Sequence, residues 1–165
     1  MKKIIIILLF GFVSSTQANN WRSAGGNINF CAYTFDGEYY FLLSYKVLYS
    51  SDSYSLTNNP IMKIKFSDES SLKLIGQIVT TFSTIHSSST HHQIYNKTEI
   101  SNLTENEHIV MFRVTLEQIN LFKHGVEMII INTIPNVLKC NKWIGRKTFG
   151  QKLYEDFQKL KTDFE

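Results

Sequence analysis

Two cysteines and two prolines are all that 165 residues hold of either type. Neither cysteine has a recognisable active-site sequence around it, which argues against a catalytic thiol. Scarce proline, together with 13% aromatic residues, suits a chain of strands with packed aromatic faces better than a disordered one. A surplus of one charge is missing as well. Seventeen Lys and Arg stand against fourteen Asp and Glu, so the strongly basic face expected of a nucleic-acid-binding protein is absent. Past the N-terminus no stretch is apolar enough to span a bilayer, which takes roughly 20 residues. There is no nucleophile elbow, no His-Glu-x-x-His, no phosphate-cradling glycine loop and no acid pair in a recognisable setting. No cofactor is expected from such a sequence.

What is present begins with an address. Lys2 and Lys3 precede an apolar run from Ile4 to Val13, and Thr16-Gln17-Ala18 has the small-x-small pattern of a cleavage site. Residues 1–18 are expected to be a signal peptide, and residues 19–165 one β-rich domain ending in a C-terminal helix. No Cys follows the site, which argues against a lipid anchor. Removal of the leader leaves 165 − 18 = 147 residues, enough for one core. It also takes two lysines, so 17 − 2 = 15 basic residues meet 14 acidic ones and the net charge falls to about +1. The destination is the periplasm or the outside of the cell.

The stretch from His108 to Asn132 organises the rest. It reads as a strand to Val114, a short helix, and a second strand from Val126. Thr115 precedes Gln118 by three, the spacing of a capping box. Gly125 follows Lys123 and His124, as where a helix ends in a left-handed residue. Leu116, Ile119 and Phe122 share one helical face.

Before it, two hairpins are expected. Asn27 to Phe35 alternates and meets Asp36-Gly37, a two-residue turn signal. Tyr39, Phe41, Leu43, Tyr45, Val47 and Tyr49 then fall on one face, either as core or as a row of aromatics lining a sugar-binding surface. Met62, Ile64 and Phe66 alternate with lysines, Ser67 to Ser70 turns, and Leu72, Leu74 and Ile78 return. Gly76 on that face marks a bulge or a close backbone approach.

Residues 83–106 read as a long polar loop holding His86, His91 and His92. These histidines are the chain's one clustering of ligand-type residues, and metal ligation is their sharper reading; nothing nearby supplies a matching carboxylate or thiolate pattern. Asn96-Lys-Thr98 and Asn102-Leu-Thr104 match the glycosylation sequon. At the other end, Phe149, Leu153, Phe157 and Leu160 recur at helical spacing with Tyr154 alongside, leaving Glu155, Asp156 and the lysines on the polar face. Lys139, Lys142, Arg146 and Lys147 form a basic run, a candidate contact for an anion or an anionic glycan. In an exported chain Cys31 and Cys140 are expected to form a disulfide, worth on the order of 4–5 kcal/mol for so long a loop.

The segment Phe112-Arg-Val-Thr-Leu-Glu-Gln-Ile119, with Gly125-Val126, Ile129 to Ile131 and the terminal Phe149-Gly-x-x-Leu-Tyr154 helix, resembles a pattern of small exported bacterial proteins of unknown function. The resemblance covers Val110 to Leu160. It implies a β-sandwich-like domain with short helical connections and carries no catalytic residue over. Met128 to Ile131 is wholly apolar where that pattern often holds a basic residue.

These readings converge on a mainly β fold: an antiparallel β-sandwich of about seven strands with one short crossing helix and a C-terminal amphipathic helix. A parallel crossover in the strand–helix–strand unit would make it α+β instead. The expected function is that of an exported, non-enzymatic binding or structural domain contacting a protein or glycan, with no nucleic-acid partner and no membrane span. The alternative is a small exported hydrolase using residues of the histidine-rich loop.

Overall fold

A computed structural model describes residues 21–25, 28–48, 55–92, 97–134, 137–140 and 148–162. The leader, Tyr49, and Lys142, Arg146 and Lys147 of the basic run lie outside these residues. Nine strands are present: β1 (Arg22–Gly25), β2 (Ile28–Phe35), β3 (Glu38–Leu48), β4 (Ser55–Leu56), β5 (Ile61–Phe66), β6 (Ser71–His92), β7 (Lys97–Val114), β8 (Val126–Ile134) and β9 (Val137–Cys140). Helix α1 (Leu116–Leu121) runs into a 3-10 turn (Phe122–His124), and α2 (Thr148–Thr162) closes the described chain. The fold is mainly β, every strand pair is antiparallel, and both expected helices are there.

The strands form one hydrogen-bonded path, β1-β2-β3-β7-β6-β5-β8-β4, with β9 on β8. The sheet is barrel-like, and its two halves share β6. Ser71 to Ile75 pair with β5, and from Gly76 onward the same strand pairs with β7. A strand that changes partner in this way makes the corner between packed sheet halves. Gly76 stands at that corner because nothing larger fits: a Cβ there would lie 2.5 Å from the Phe112 ring and 2.7 Å from Val110. Both neighbours are wholly buried and cannot yield. Gly76→Ala should therefore cost about 1–3 kcal/mol by overpacking, measured as a shift in the urea midpoint; an unchanged midpoint would show that the corner has slack.

The local signals translate directly into structure. Asp36 and Gly37 both take positive φ (52° and 74°), the two-residue turn that matches strand twist, and Phe35 pairs with Glu38 across it. Thr115 caps α1: its hydroxyl accepts from the Gln118 N–H at 3.2 Å, while the Gln118 side chain accepts from the Thr115 N–H at 3.0 Å. Gly125 ends the 3-10 turn at φ 79°. Ile119 and Phe122 are buried, but Leu116 in the first turn of α1 points to solvent at 48% exposure. No parallel crossover forms, because β7 and β8 belong to different halves of the sheet and do not pair with each other.

The aromatic stripe of β3 is core. Phe41, Leu43, Tyr45 and Val47 are buried, which excludes the sugar-binding platform for these side chains. Phe41 stacks on Phe30 with ring centroids 4.9 Å apart, and lies 5.6 Å from Phe122 and 6.5 Å from Phe157. Helix α2 thus places Phe157 among rings from β3 and the 3-10 turn. Burying each such ring contributes about 1.5–3 kcal/mol relative to leaving it exposed.

The expected disulfide does not exist: Cys31 and Cys140 are both free and buried. Strand alternation explains it. Phe30 and Ala32 face the main core, so Cys31 between them faces the other side of β2, where it packs with Tyr33 and Leu42. Cys140 belongs to the main core. The sheet itself separates the two sulfurs. Burial pushes the Cys31 thiol up to about 12 and the Cys140 thiol up to about 11 from an ordinary 9.0, so neither is a ready nucleophile. Denatured, unreduced protein should titrate two thiols per chain, and the folded protein should titrate neither at neutral pH; one or no thiol after denaturation would contradict this arrangement. The raised values also set a pH limit. Below about pH 9 both states hold both thiol protons; above it only the unfolded chain loses them, so stability should fall by up to about 1.4 kcal/mol per pH unit for each thiol.

Candidate interaction surface

The β6–β7 hairpin carries the longest described strand pairing of the fold. β3 pairs with β7 only from Val114 back to Glu105, where Leu48 is the last partner. Beyond that point Ile85 to His92 pair with Thr104 to Lys97 in continuous register, eight residue pairs with no third strand among the described residues. At about 3.3 Å per residue this ribbon projects roughly 26 Å past the sheet. On β6 the uncovered edge starts earlier. Among the described residues the last backbone hydrogen bond on the β5 side is from the Gly76 N–H to the Pro60 carbonyl, 2.7 Å.

Exposure follows the pairing. Thr81, Phe82, Ser83, Thr84 and Ile85 are consecutive and all exposed, with Ile85 at 68%. Successive strand residues point to opposite faces, so this run shows that both faces of β6 are open to solvent. Where β7 still has β3 beside it, its residues Glu105 to Ile109 are half-buried.

The root of the arm is braced on both faces. Thr81 Oγ1 and His108 Nδ1 lie 2.8 Å apart, and the Ser83 hydroxyl donates to Asn106 Oδ1 at 2.7 Å. Partial burial lowers the His108 pKa, favouring the neutral ring. On the other face the buried Ser44 hydroxyl donates to Glu107 Oε1 at 2.6 Å, and Lys46 Nζ lies 3.7 Å from Glu107 and 3.8 Å from Glu105. These contacts tie the base of the hairpin to β3 and link its two strands.

The histidine-rich segment is therefore not a loop. His86, His91 and His92 are strand positions of β6 opposite Leu103, Thr98 and Lys97. Alternation puts positions 91 and 92 on opposite faces of the ribbon, so the backbone does not gather all three at one point. Among the described residues no group of three His, Cys, Asp or Glu side chains could hold a metal ion. Of the basic run, Lys139 is an exposed residue of β9 opposite Ile130. Asn102 of the second sequon is a strand position opposite Ser87, and Asn96 lies outside the described residues.

A pair that sequence reasoning misplaced sits on the other side of the domain. Asp156, expected on the polar face of α2, is 2% exposed and receives Arg22 of β1 in a bidentate contact, Nε at 2.6 Å and Nη2 at 2.7 Å. It is an anchor of α2 on the edge strand. No helix among the described residues is long and apolar enough to cross a membrane. No family model, curated protein or solved structure matches the chain.

Proposed function

We propose that this chain is an exported, non-enzymatic binding domain that contacts a protein partner in the periplasm or outside the cell, and that the β6–β7 arm is its contact element. The observation that carries the reading is the run from Thr81 to Ile85, exposed on both faces of a strand whose second edge no described strand covers. A two-stranded ribbon is marginal in water by itself. An open strand edge presents a repeating row of N–H and C=O groups, and an extended peptide matches that row. A glycan has no such repeat, and Phe82 is the one aromatic residue between Gly76 and Ile85 on which a sugar ring would stack.

Export rests on the basic, apolar and small-residue pattern of residues 1–18. Intact-mass measurement on protein recovered from outside the cytoplasm should give a chain starting at Asn19; the full-length mass in that fraction would sink this part. For the arm, a photo-crosslinking residue at Thr84 in the source cells should give adducts of protein mass, while the same group at exposed Glu117 of α1 should not. No protein adduct at Thr84, or the same adducts from both positions, would overturn the contact.

A further inference from the structure

Taking the arm to be a protein contact, we infer that its partner is a second copy of this chain, with the two β6 edges pairing antiparallel about a twofold axis. The argument starts from charge. From Leu74 to Asn96 the chain holds no Asp, Glu, Lys or Arg, although Lys73 and Lys97 flank it. This stretch includes the whole uncovered edge of β6. Proteins blunt exposed strand edges with charged side chains, proline or bulges. The other strand of the arm follows that practice: where β7 runs beyond Glu105 without β3, it carries Lys97 and Glu99. From Leu74 onward β6 has no Asp, Glu, Lys, Arg or Pro, and its one irregularity falls between Ile78 and Thr80, near the root. One edge of the arm carries charges, and the other is left uncovered and uncharged among the described residues.

The missing charge also selects the occupant. A different protein meeting β6 is free to use complementary charges. In a twofold antiparallel pair residues equidistant from the axis face each other, so a charge at or beside the axis meets its own copy, and like charges directly opposite destabilise a sheet. An uncharged strand is the form that pairs with itself without penalty. Thr80 and Thr84 add hydroxyl side chains of the kind that hydrogen-bond across strands. Twofold pairing closes the assembly, because each copy covers the one edge its mate leaves open.

Sedimentation equilibrium on the purified protein should show a monomer–dimer equilibrium. Lysines at two exposed positions on opposite faces of β6, Thr84→Lys with Ile85→Lys, should weaken the dimer by about tenfold or more at low salt, and by less as salt screens the repulsion. The charge-matched pair Thr98→Lys with Ser101→Lys on β7 should change it by no more than about twofold. Circular dichroism melts of both variants report whether the domain stays folded. A protein monomeric up to about 1 mM, a dimer indifferent to the β6 lysines, or one weakened equally by the β7 pair would each overturn the inference. The Thr84 crosslink separates this inference from the broader reading. An adduct of twice the chain mass supports self-pairing, whereas an adduct with a different protein overturns self-pairing and leaves the arm a protein contact.

Discussion

Arg22→Leu should lower the stability of the domain by about 3–5 kcal/mol. Asp156 is 2% exposed, and the Arg22 guanidinium supplies two hydrogen bonds to its carboxylate across 134 residues of sequence. Removing the arginine leaves a buried carboxylate with its lone pairs unmatched, and that penalty exceeds whatever net attraction the pair had. At about 2–4 °C per kcal/mol for a domain of this size, the melting temperature should drop by roughly 10–15 °C. The double variant Arg22→Leu with Asp156→Leu removes the charge as well as its partner. It should recover most of the loss, since well-packed apolar replacements of buried ion pairs are often neutral or stabilising. A single variant within about 1 kcal/mol of the parent would mean that water reaches Asp156 and that α2 is held by its apolar face alone.

Phe157→Ala should be comparably severe, about 3–5 kcal/mol. The ring is 1% exposed and lies 6.5 Å from Phe41, 6.5 Å from Tyr39 and 6.3 Å from Phe122. Its partners come from β3 and the 3-10 turn, elements held by the sheet, so the site cannot collapse to fill the space. The loss should show as a lower urea midpoint with an unchanged slope, the signature of a cavity rather than of a different unfolding reaction. A midpoint shift below about 1 kcal/mol would show that α2 rides on the surface of the sheet instead of completing its core.

Much of this architecture was legible before any coordinates. The period of two in β3, the Asp36-Gly37 turn, the Thr115/Gln118 box and the spacing of Phe149, Leu153, Phe157 and Leu160 are local signals, and each appears where the pattern put it. The failures were long-range. Residues 83–106 look like a loop because Ser, Thr and His dominate, yet Ser83 to His92 continue β6 and Lys97 to Asn106 open β7, each paired with a neighbour across the hairpin. Pairing over so many residues outweighs weak local preference. The disulfide expectation came from destination and count, which say nothing of which side of a sheet each sulfur occupies. The same alternation that marked Phe30 and Ala32 as core already put Cys31 on the opposite face. Asp156 was also readable in part: three residues after Leu153 and three before Lys159, it borders the apolar stripe, a position where a carboxylate needs a cation. Which cation reaches it depends on β1 folding back from the far end of the described chain.

The open edge of β6 had its own trace in the sequence, a long interval without charge, but that trace acquires meaning only from topology. Had β5 continued along β6 beyond Gly76, the same residues would be an ordinary interior strand. Because β5 stops at Ile61 and β6 goes on, the uncharged part of the strand has no described strand on one side.

Shortening the arm checks whether it stands outside the core and makes the contact. Replacing residues 84–105 with Asn-Gly joins Ser83 to Asn106, which already pair across the hairpin, through a two-residue turn. The shortened protein should melt within about 3 °C of the parent, since none of the deleted residues whose burial the structure describes belongs to the buried core. It should also sediment as a monomer at concentrations where the parent is a dimer. Association at the parent's strength by a folded, shortened chain would contradict the claim, as would collapse of the domain once the arm is gone.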